Sequence, residues 1–301
     1  MTNPLWYSEW FSNEQQWLYA VKECIFRKKT PYQLIEILEL TNLGRCIFLD
    51  NRLQSAECDE FVYHEALVHI PLLTHPSPRT VLIIGGGEGA TLREVLKHPV
   101  ERAVMVDIDQ DVVDASIRYL PTWSDGAFDD PRAEVHFEDA RQWIENTNER
   151  FDCIISDLTE PVEKSPARLL FTLEFYKLIQ RALTPDGLIS LQGGTTVHFY
   201  AEFFVNLVQT LRQIFSVVAP FQVVVPTFHW PWGFIVASSS YDPQSIDINL
   251  LKQRTRERGL QFRYYNPEIQ HALFKLPTYL RAMLKQGKVL TDQTPFTWEG
   301  E

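Results

Sequence analysis

The segment CIISDLTEPVEKSP, residues 153–166, sets two acids and a proline at the mouth of an apolar run. Cys153, Ile154 and Ile155 read as a buried strand, Asp157 ends it, and Glu160 follows beside Pro161. A buried carboxylate is costly unless something pairs with it. A turn and a helix cap would account for these residues. So would a base waiting for a cationic substrate. A second segment, IIGGGEGAT (83–91), carries Gly85, Gly87 and Gly89 as G-x-G-x-G between an apolar strand and a helix. In that context glycines let the chain turn tightly and let a ligand approach. Asp107 ends the next strand 22 residues after Gly85, the spacing at which an acid takes ribose hydroxyls. Asp139 ends a third strand and is placed to accept an adenine amino group. The set describes an adenosine site. Glu88, inside the glycine loop, would repel a pyrophosphate. It suits an S-adenosyl ligand that carries a sulfonium and an amine, unless it simply points to solvent.

These residues need strands to hold them. VLII (81–84), RAVMVD (102–107), AEVHFED (133–139), FDCIISD (151–157) and LISLQ (188–192) read as strands that alternate with helical segments. The helices include ATLREVLKHP, QDVVDASIRYL, ARQWIENT, TLEFYKLIQRAL and AEFFVNLVQTLRQIF. VVAPFQVVVP and WGFIVASS are expected to close the sheet as an antiparallel pair. This alternation predicts an α/β fold with a doubly wound, mainly parallel sheet, in which ligands sit beyond the carboxyl ends of the strands. Ahead of it, QLIEILEL, GRCIFLD and RLQSAE read as a small β unit, and residues 1–30 as an amphipathic helix. The expected division is an N-terminal helix plus small β domain over 1–62, then a Rossmann-like domain with a C-terminal helical extension over 63–301. The boundary falls within 59–78.

The totals exclude several classes. A net charge of −11 over 301 residues argues against nucleic acid or an anionic membrane as partner. The opening MTNPLWYSEW has no signal-peptide pattern, and no apolar run approaches the roughly 18 residues of a span. Cys24, Cys46, Cys58 and Cys153 show no CxxC spacing and read as reduced residues of a cytoplasmic protein. His64, His69 and His75 lack the partner set of a metal site, so no metal is expected.

GGGEGATLREVLKHP, MVDID, GAFDDPRAEV, EDAR and ISDLTEP…LLFTLEFYKLI, with YQ at 32–33, FLDNRLQSAECDEFVYHE and VPTF…WGF, resemble the polyamine aminopropyltransferases, the spermidine synthase family. The resemblance covers nearly the whole chain. It implies a Rossmann-like fold of the S-adenosylmethionine-methyltransferase type. It also implies that decarboxylated S-adenosylmethionine gives a 3-aminopropyl group to an amine and leaves as 5'-methylthioadenosine. That donor is a co-substrate, and no cofactor is implied. By position, Gln33, Asp107, Asp139, Ala140 and Pro166 match residues that hold the nucleoside. Glu88 matches the acid on the donor's amine, and Tyr63 and His64 a pair beside the reacting groups. Asp157 matches the proton acceptor, Asp157 through Thr159 to Glu160 the lining of the amine site, and Gln192 a further pocket position. The resemblance also implies a homodimer or homotetramer.

The chemistry suits these residue types. An alkylamine with a pKa of about 10.4 is short of its neutral form at pH 7 by about 4–5 kcal/mol, so a base must take a proton as the nitrogen attacks the carbon beside the sulfonium. Glu160 stands where most relatives carry aspartate. Phe228 and Arg168 depart from the putrescine-specific pattern, and YHE, GGGEG and the one-residue-shorter VPTFHWPWGF resemble plant thermospermine synthases and bacterial agmatine or triamine aminopropyltransferases. Phe228, Trp230 or Trp232 would then line a roomier pocket. Putrescine, agmatine and spermidine all remain as acceptors. The other readings are an S-adenosylmethionine-dependent methyltransferase of the same fold and a non-catalytic family member.

Overall fold

The computed structural model describes residues 5–12, 14–161 and 166–298. The first sheet is an antiparallel meander of β1 (Leu5–Ser12), β2 (Gln15–Lys29), β3 (Leu34–Leu40), β4 (Gly44–Leu49) and β5 (Arg52–Ala56), in that order. The helix expected over residues 1–30 is therefore corrected to a strand pair in which Tyr7 faces Tyr19 and Leu5 faces Val21. The segment is rich in aromatic and β-branched residues, which favour a pleated surface. Its pairing with β3 slips between Val21 and Glu23 and again between Cys24 and Phe26. Such bulges break the two-residue alternation, and the broken pattern imitates helical spacing.

The rest of the chain begins with α1 (Glu60–Thr74), β6 (Thr80–Gly85), α2 (Ala90–Leu96), β7 (Arg102–Asp107), α3 (Gln110–Tyr119) and α4 (Pro121–Ser124). It continues with β8 (Ala133–Phe137), α5 (Ala140–Asn146), β9 (Phe151–Asp157), α6 (Leu173–Ala182), β10 (Leu183–Thr195), α7 (Glu202–Leu211), β11 (Val217–Val224) and β12 (Pro231–Ser238). Three helices follow, α8 (Ile248–Glu257), α9 (Pro267–Leu273) and α10 (Thr278–Met283). The second sheet has the order β11-β12-β10-β9-β6-β7-β8. Its strands β6 to β10 run parallel, and β12 is antiparallel to β10 and β11, as the alternation predicts. Both faces are covered. Val81 and Ile83 pack into the core that holds α1, and Leu82 and Ile84 into the core of α6 and α7. An apolar run such as VLII follows from burial on two sides.

The strand order reverses at β6, which lies between β9 and β7. That switch point opens a crevice at the carboxyl ends, and Gly85 stands in register with Asp157 across it. The first sheet caps this end. Ile35, Ile37 and Ile47 pack on Ala90, Val112, Ala115 and Trp123, and the Trp123 indole donates to Ser55 Oγ at 2.7 Å. No helix among the described residues is long and apolar enough to cross a membrane.

Candidate active site

The crevice is a cavity of about 1390 Å³. Gln33, Tyr63, Gly85, Gly87, Glu88, Asp107, Asp139, Ala140, Asp157, Thr159, Glu160 and Gln192 all line it. Three of the sequence-chosen residues do not. His64 lies behind Glu88, with Nε2 at 2.6 Å from Glu88 Oε1. Gly89 packs outward, since a Cβ there would lie 2.6 Å from the Phe128 ring. Pro166 opens a 3-10 turn to Phe171, and its side chain lies outside the described residues.

Asp157 is the best-held acid of the set. Tyr63 Oη donates to its Oδ1 at 2.8 Å, and Thr91 Oγ1 to its Oδ2 at 2.6 Å. The Gly86 N–H donates to its backbone carbonyl at 3.0 Å. Each carboxylate oxygen keeps acceptor capacity for a substrate N–H. Gly85 at φ +78° allows this approach, because a Cβ there would run into the Asp157 carbonyl. Burial, followed by the neighbouring Asp157, raises the Tyr63 phenol well above its usual range, so Tyr63 stays a donor.

At the end of β7, a Cβ at Gly87 would lie 2.8 Å from Asp107 Oδ2, so only glycine leaves this acid open to the cavity. Asp107 Oδ1 accepts the Asp109 N–H at 2.9 Å. Burial lifts the Asp107 carboxyl to about 6 against the backbone N–H groups of Asp109 and Gly87 that favour its charge. Asp109, which sequence reasoning passed over, ties the two sheets together by accepting from Thr30 Oγ1 at 2.8 Å and Gln33 Nε2 at 3.1 Å. Asp139 caps α5 by accepting the Gln142 N–H at 3.0 Å.

At the other end, Gln192 serves the wall itself. Its amide donates to the Leu158 carbonyl at 2.7 Å and accepts from the Gly194 N–H at 2.8 Å and the Trp232 indole at 3.2 Å. Phe228 lies edge-on to Trp232 at 4.7 Å and to Tyr63 at 5.9 Å, and both Phe228 and Trp232 line the cavity. Trp230 is not among the lining residues and packs instead on Trp17 and Phe199. Asp59 fixes the Phe228 turn by accepting from the Thr227 N–H at 2.8 Å and Oγ1 at 2.9 Å. Arg168 is exposed and is not part of the wall. The loop after Asp157 is tied to the C-terminal segment, where the Trp298 N–H donates to the Pro161 carbonyl at 3.0 Å. Asp292 in that segment takes both Arg141 nitrogens, at 2.9 and 2.6 Å.

Sequence reasoning missed Gly86, Thr91 and Glu60. Gly86 was hidden by reading the loop as alternate glycines. Thr91 looks like an ordinary first-turn residue of α2. Glu60 is four residues before His64, a helical spacing that was available as a signal. The cationic rim of Arg27, Lys28 and Lys29 is already ion-paired with Glu36, Asp111 and Asp50. Arg52 also lines the cavity, where the acids Glu88, Asp107, Asp139, Asp157 and Glu160 outnumber it. Among the described residues no group of three or more His, Cys, Asp or Glu is arranged to hold a metal ion.

Two family models match the chain: the spermine/spermidine synthase domain over residues 60–249 and the spermidine synthase tetramerisation domain over residues 5–57. A polyamine aminopropyltransferase of Sulfurisphaera tokodaii is 38% identical over 96% of this chain and 97% of its own. One of Pyrobaculum calidifontis is 44% identical over 84% and 88%. A crystal structure of spermidine synthase in complex with the transition-state analogue AdoDATO superposes with a TM-score of 0.88 at 33% identity, over 95% of this chain and 98% of that one. Spermidine synthase from Thermotoga maritima gives 0.86 at 33% identity, over 95% and 97%. The chain belongs to the spermidine synthase family of polyamine aminopropyltransferases, and it carries both of that family's domains.

Proposed function

We propose that this member of the spermidine synthase family moves a 3-aminopropyl group from decarboxylated S-adenosylmethionine to a di- or triamine and releases 5'-methylthioadenosine. The observation that carries the reading is the setting of Asp157. Its carboxylate is held by two hydroxyl donors on the wall of a cavity whose neighbouring strand ends supply Glu88 and Asp107. Asp107 takes the ribose hydroxyls, Asp139 and Ala140 flank the base, and Glu88 holds the donor's ammonium. The acceptor lies between Asp157 and Glu160. Its near nitrogen passes a proton to Asp157 as its lone pair attacks the carbon beside the sulfonium. The C–S bond breaks and its electron pair stays on sulfur, so the leaving group is a neutral thioether. A sulfonium is already activated, and the protein's part is alignment and proton removal.

Glu160, Phe228 and Trp232 set the acceptor end. An aromatic wall gives a guanidinium a stacking surface and gives a longer amine an apolar track, so agmatine and spermidine stand beside putrescine as candidates. A methyl-transfer reading is disfavoured, because the carboxylate of S-adenosylmethionine would face Glu88. The match to a spermidine synthase tetramerisation domain over residues 5–57 supports a homo-oligomer, and the net charge of −11 supports polycations, with neither nucleic acid nor membrane, as partners. The test is to mix purified protein with decarboxylated S-adenosylmethionine and an equimolar panel of putrescine, agmatine and spermidine, and to read products by mass spectrometry. Release of methylthioadenosine with one new aminopropylated amine is expected. Silence with every amine overturns the proposal.

A further inference from the structure

Glu88 is backed by a file of buried charge that the reaction described above does not use. His64 is 2% exposed. Its Nδ1 lies 2.7 Å from the Glu60 carbonyl and 2.9 Å from Glu60 Oε2, while its Nε2 lies 2.6 Å from Glu88 Oε1. A carbonyl and an ionised carboxylate only accept, so Nδ1 carries a hydrogen; burial raises the Glu88 carboxyl while the His64 ring works against that rise, and toward the ionised acid Nε2 carries a second hydrogen. The ring is an imidazolium between two carboxylates. Arg93 on α2 grips Glu60 Oε2 at 2.9 Å and Glu94 Oε1 at 2.8 Å.

Beyond Glu94 the donor inventory fixes the tautomers. Arg258 donates toward His98 Nδ1 at 3.3 Å, so the His98 hydrogen sits on Nε2, 2.9 Å from His69 Nδ1. His69 then gives its own hydrogen from Nε2 to Glu94 at 2.8 Å. Glu94 Oε1 also accepts from Lys97 Nζ at 2.7 Å, which closes the file.

We infer that Glu60 is a positioning residue for the donor's amine: it keeps His64 doubly protonated, and the imidazolium pins Glu88 through Oε1 while Oε2 is left to the cavity. The inference rests on the reading of Glu88 as the group that holds the donor's ammonium. Without Glu60 the ring gives up its second hydrogen, and a bare Nε2 lone pair would face Glu88 Oε1 at 2.6 Å, which drives the acid from its place or makes it hold a proton. The charged groups around the ring are consistent with this role. Glu60 comes from α1, Glu88 from the glycine loop and Arg93 from α2, with Asp59 ahead of α1, Tyr63 beside the ring and Asp157 beyond Glu88 on β9. Burial opposes protonation of His64, but Glu88 and Glu60 outweigh it and raise the ring well above its usual range. A raised imidazole keeps its proton at neutral pH and loses it only as pH climbs through the raised value, so the arrangement fails from the alkaline side.

The experiment compares wild type with Glu60→Gln, in which the backbone carbonyl of residue 60 still takes the Nδ1 hydrogen. Imidazole ¹⁵N spectra should show the wild-type His64 doubly protonated at about pH 8, while the variant ring titrates near its ordinary value of about 6.5. In kinetics, kcat/KM for decarboxylated S-adenosylmethionine at pH 8.5 should fall at least about tenfold, with kcat changed by less than about threefold. Glu60→Asp, which keeps the charge, should recover most of the loss. A wild-type ring that is neutral at pH 8 overturns the inference without any variant having to fold. So does a Glu60→Gln ring that stays doubly protonated. Glu88→Gln separates the two levels of the reading. If it too leaves the donor KM unchanged, the assignment of Glu88 is wrong. If it raises KM while Glu60→Gln does not, the role of Glu60 alone is lost.

Discussion

Replacing Asp157 by Asn removes the proposed base and little else. The amide oxygen still accepts from Tyr63, and the Thr91 hydroxyl can rotate to accept from the amide nitrogen, so the two contacts of 2.8 and 2.6 Å survive in altered polarity. What disappears is a basic lone pair on the cavity wall. A positioned general base contributes about 10²- to 10⁴-fold, or about 3–5.5 kcal/mol of barrier. The deficit has a second signature. The variant must draw on amine that is already neutral in solution, a fraction that grows about tenfold per pH unit below a pKa of about 10.4. Single-turnover formation of methylthioadenosine should therefore be about 10²- to 10⁴-fold slower than wild type at pH 7.5, and the gap should narrow steadily toward pH 10. Calorimetry should find methylthioadenosine affinity within about threefold, since the proposed nucleoside contacts lie at Asp107 and Asp139. A rate within tenfold of wild type at pH 7.5, or a gap that does not depend on pH, would refute Asp157 as the base.

Three further outcomes follow from other acids. Asp107, lifted to about 6 chiefly by burial, must be ionised to accept from two ribose hydroxyls. Affinity for uncharged methylthioadenosine should thus hold above about pH 7 and fall up to about tenfold per unit below 6, with proton release on binding near pH 6; flat affinity from pH 5 to 8 by calorimetry contradicts this. Glu160→Asp shortens an anchor by one methylene and should change the ranking of putrescine, agmatine and spermidine by kcat/KM. An equal effect on all three would rule out contact with the acceptor's far end. Glu94 is 1% exposed and is held below the usual carboxylate range by His69, Arg93 and Lys97, although its burial pushes the other way. A depressed carboxyl stabilises the fold above its unfolded pKa and loses that contribution as pH falls, so Glu94→Gln should cost about 3 kcal/mol at pH 7 and progressively less below about pH 4. Denaturant midpoints read across that range would show a constant gap if the ion cluster were irrelevant.

What was legible in the sequence is what local chain geometry determines. Gly85, Asp107 and Asp157 each sit at the end of a short apolar strand, and in a parallel sheet those ends converge without any knowledge of side-chain packing. The first two strands were misread because β2 carries two bulges against β3, and a bulge is a property of a pairing that the strand's own residues do not display. Trp230 was named with Phe228 and Trp232 as an alternative pocket aromatic, but the backbone at His229 is left-handed, φ +61°, and Trp230 packs on Trp17 and Phe199 instead.

The same contrast explains why Thr91 and Glu60 escaped notice although both support the site. Thr91 meets Asp157 only because α2 starts directly after the glycine loop and β6, the strand that feeds that loop, pairs with β9 at Asp157. Glu60 meets Arg93 only because α1 packs on α2. Thr91 donates to Asp157, and Glu60 accepts from His64, the ring that meets Glu88. Motifs report the groups that face the ligand, since those must lie at fixed places along one strand or loop. The groups that fix the charge and orientation of those residues come from neighbouring helices, at chain separations of 33 residues for Glu60 with Arg93 and 66 for Thr91 with Asp157, and only the packed fold brings them into view. A cavity meant for polycations needs that second set most, because its acids would otherwise raise one another's pKa and give up the charge that recognises the substrate.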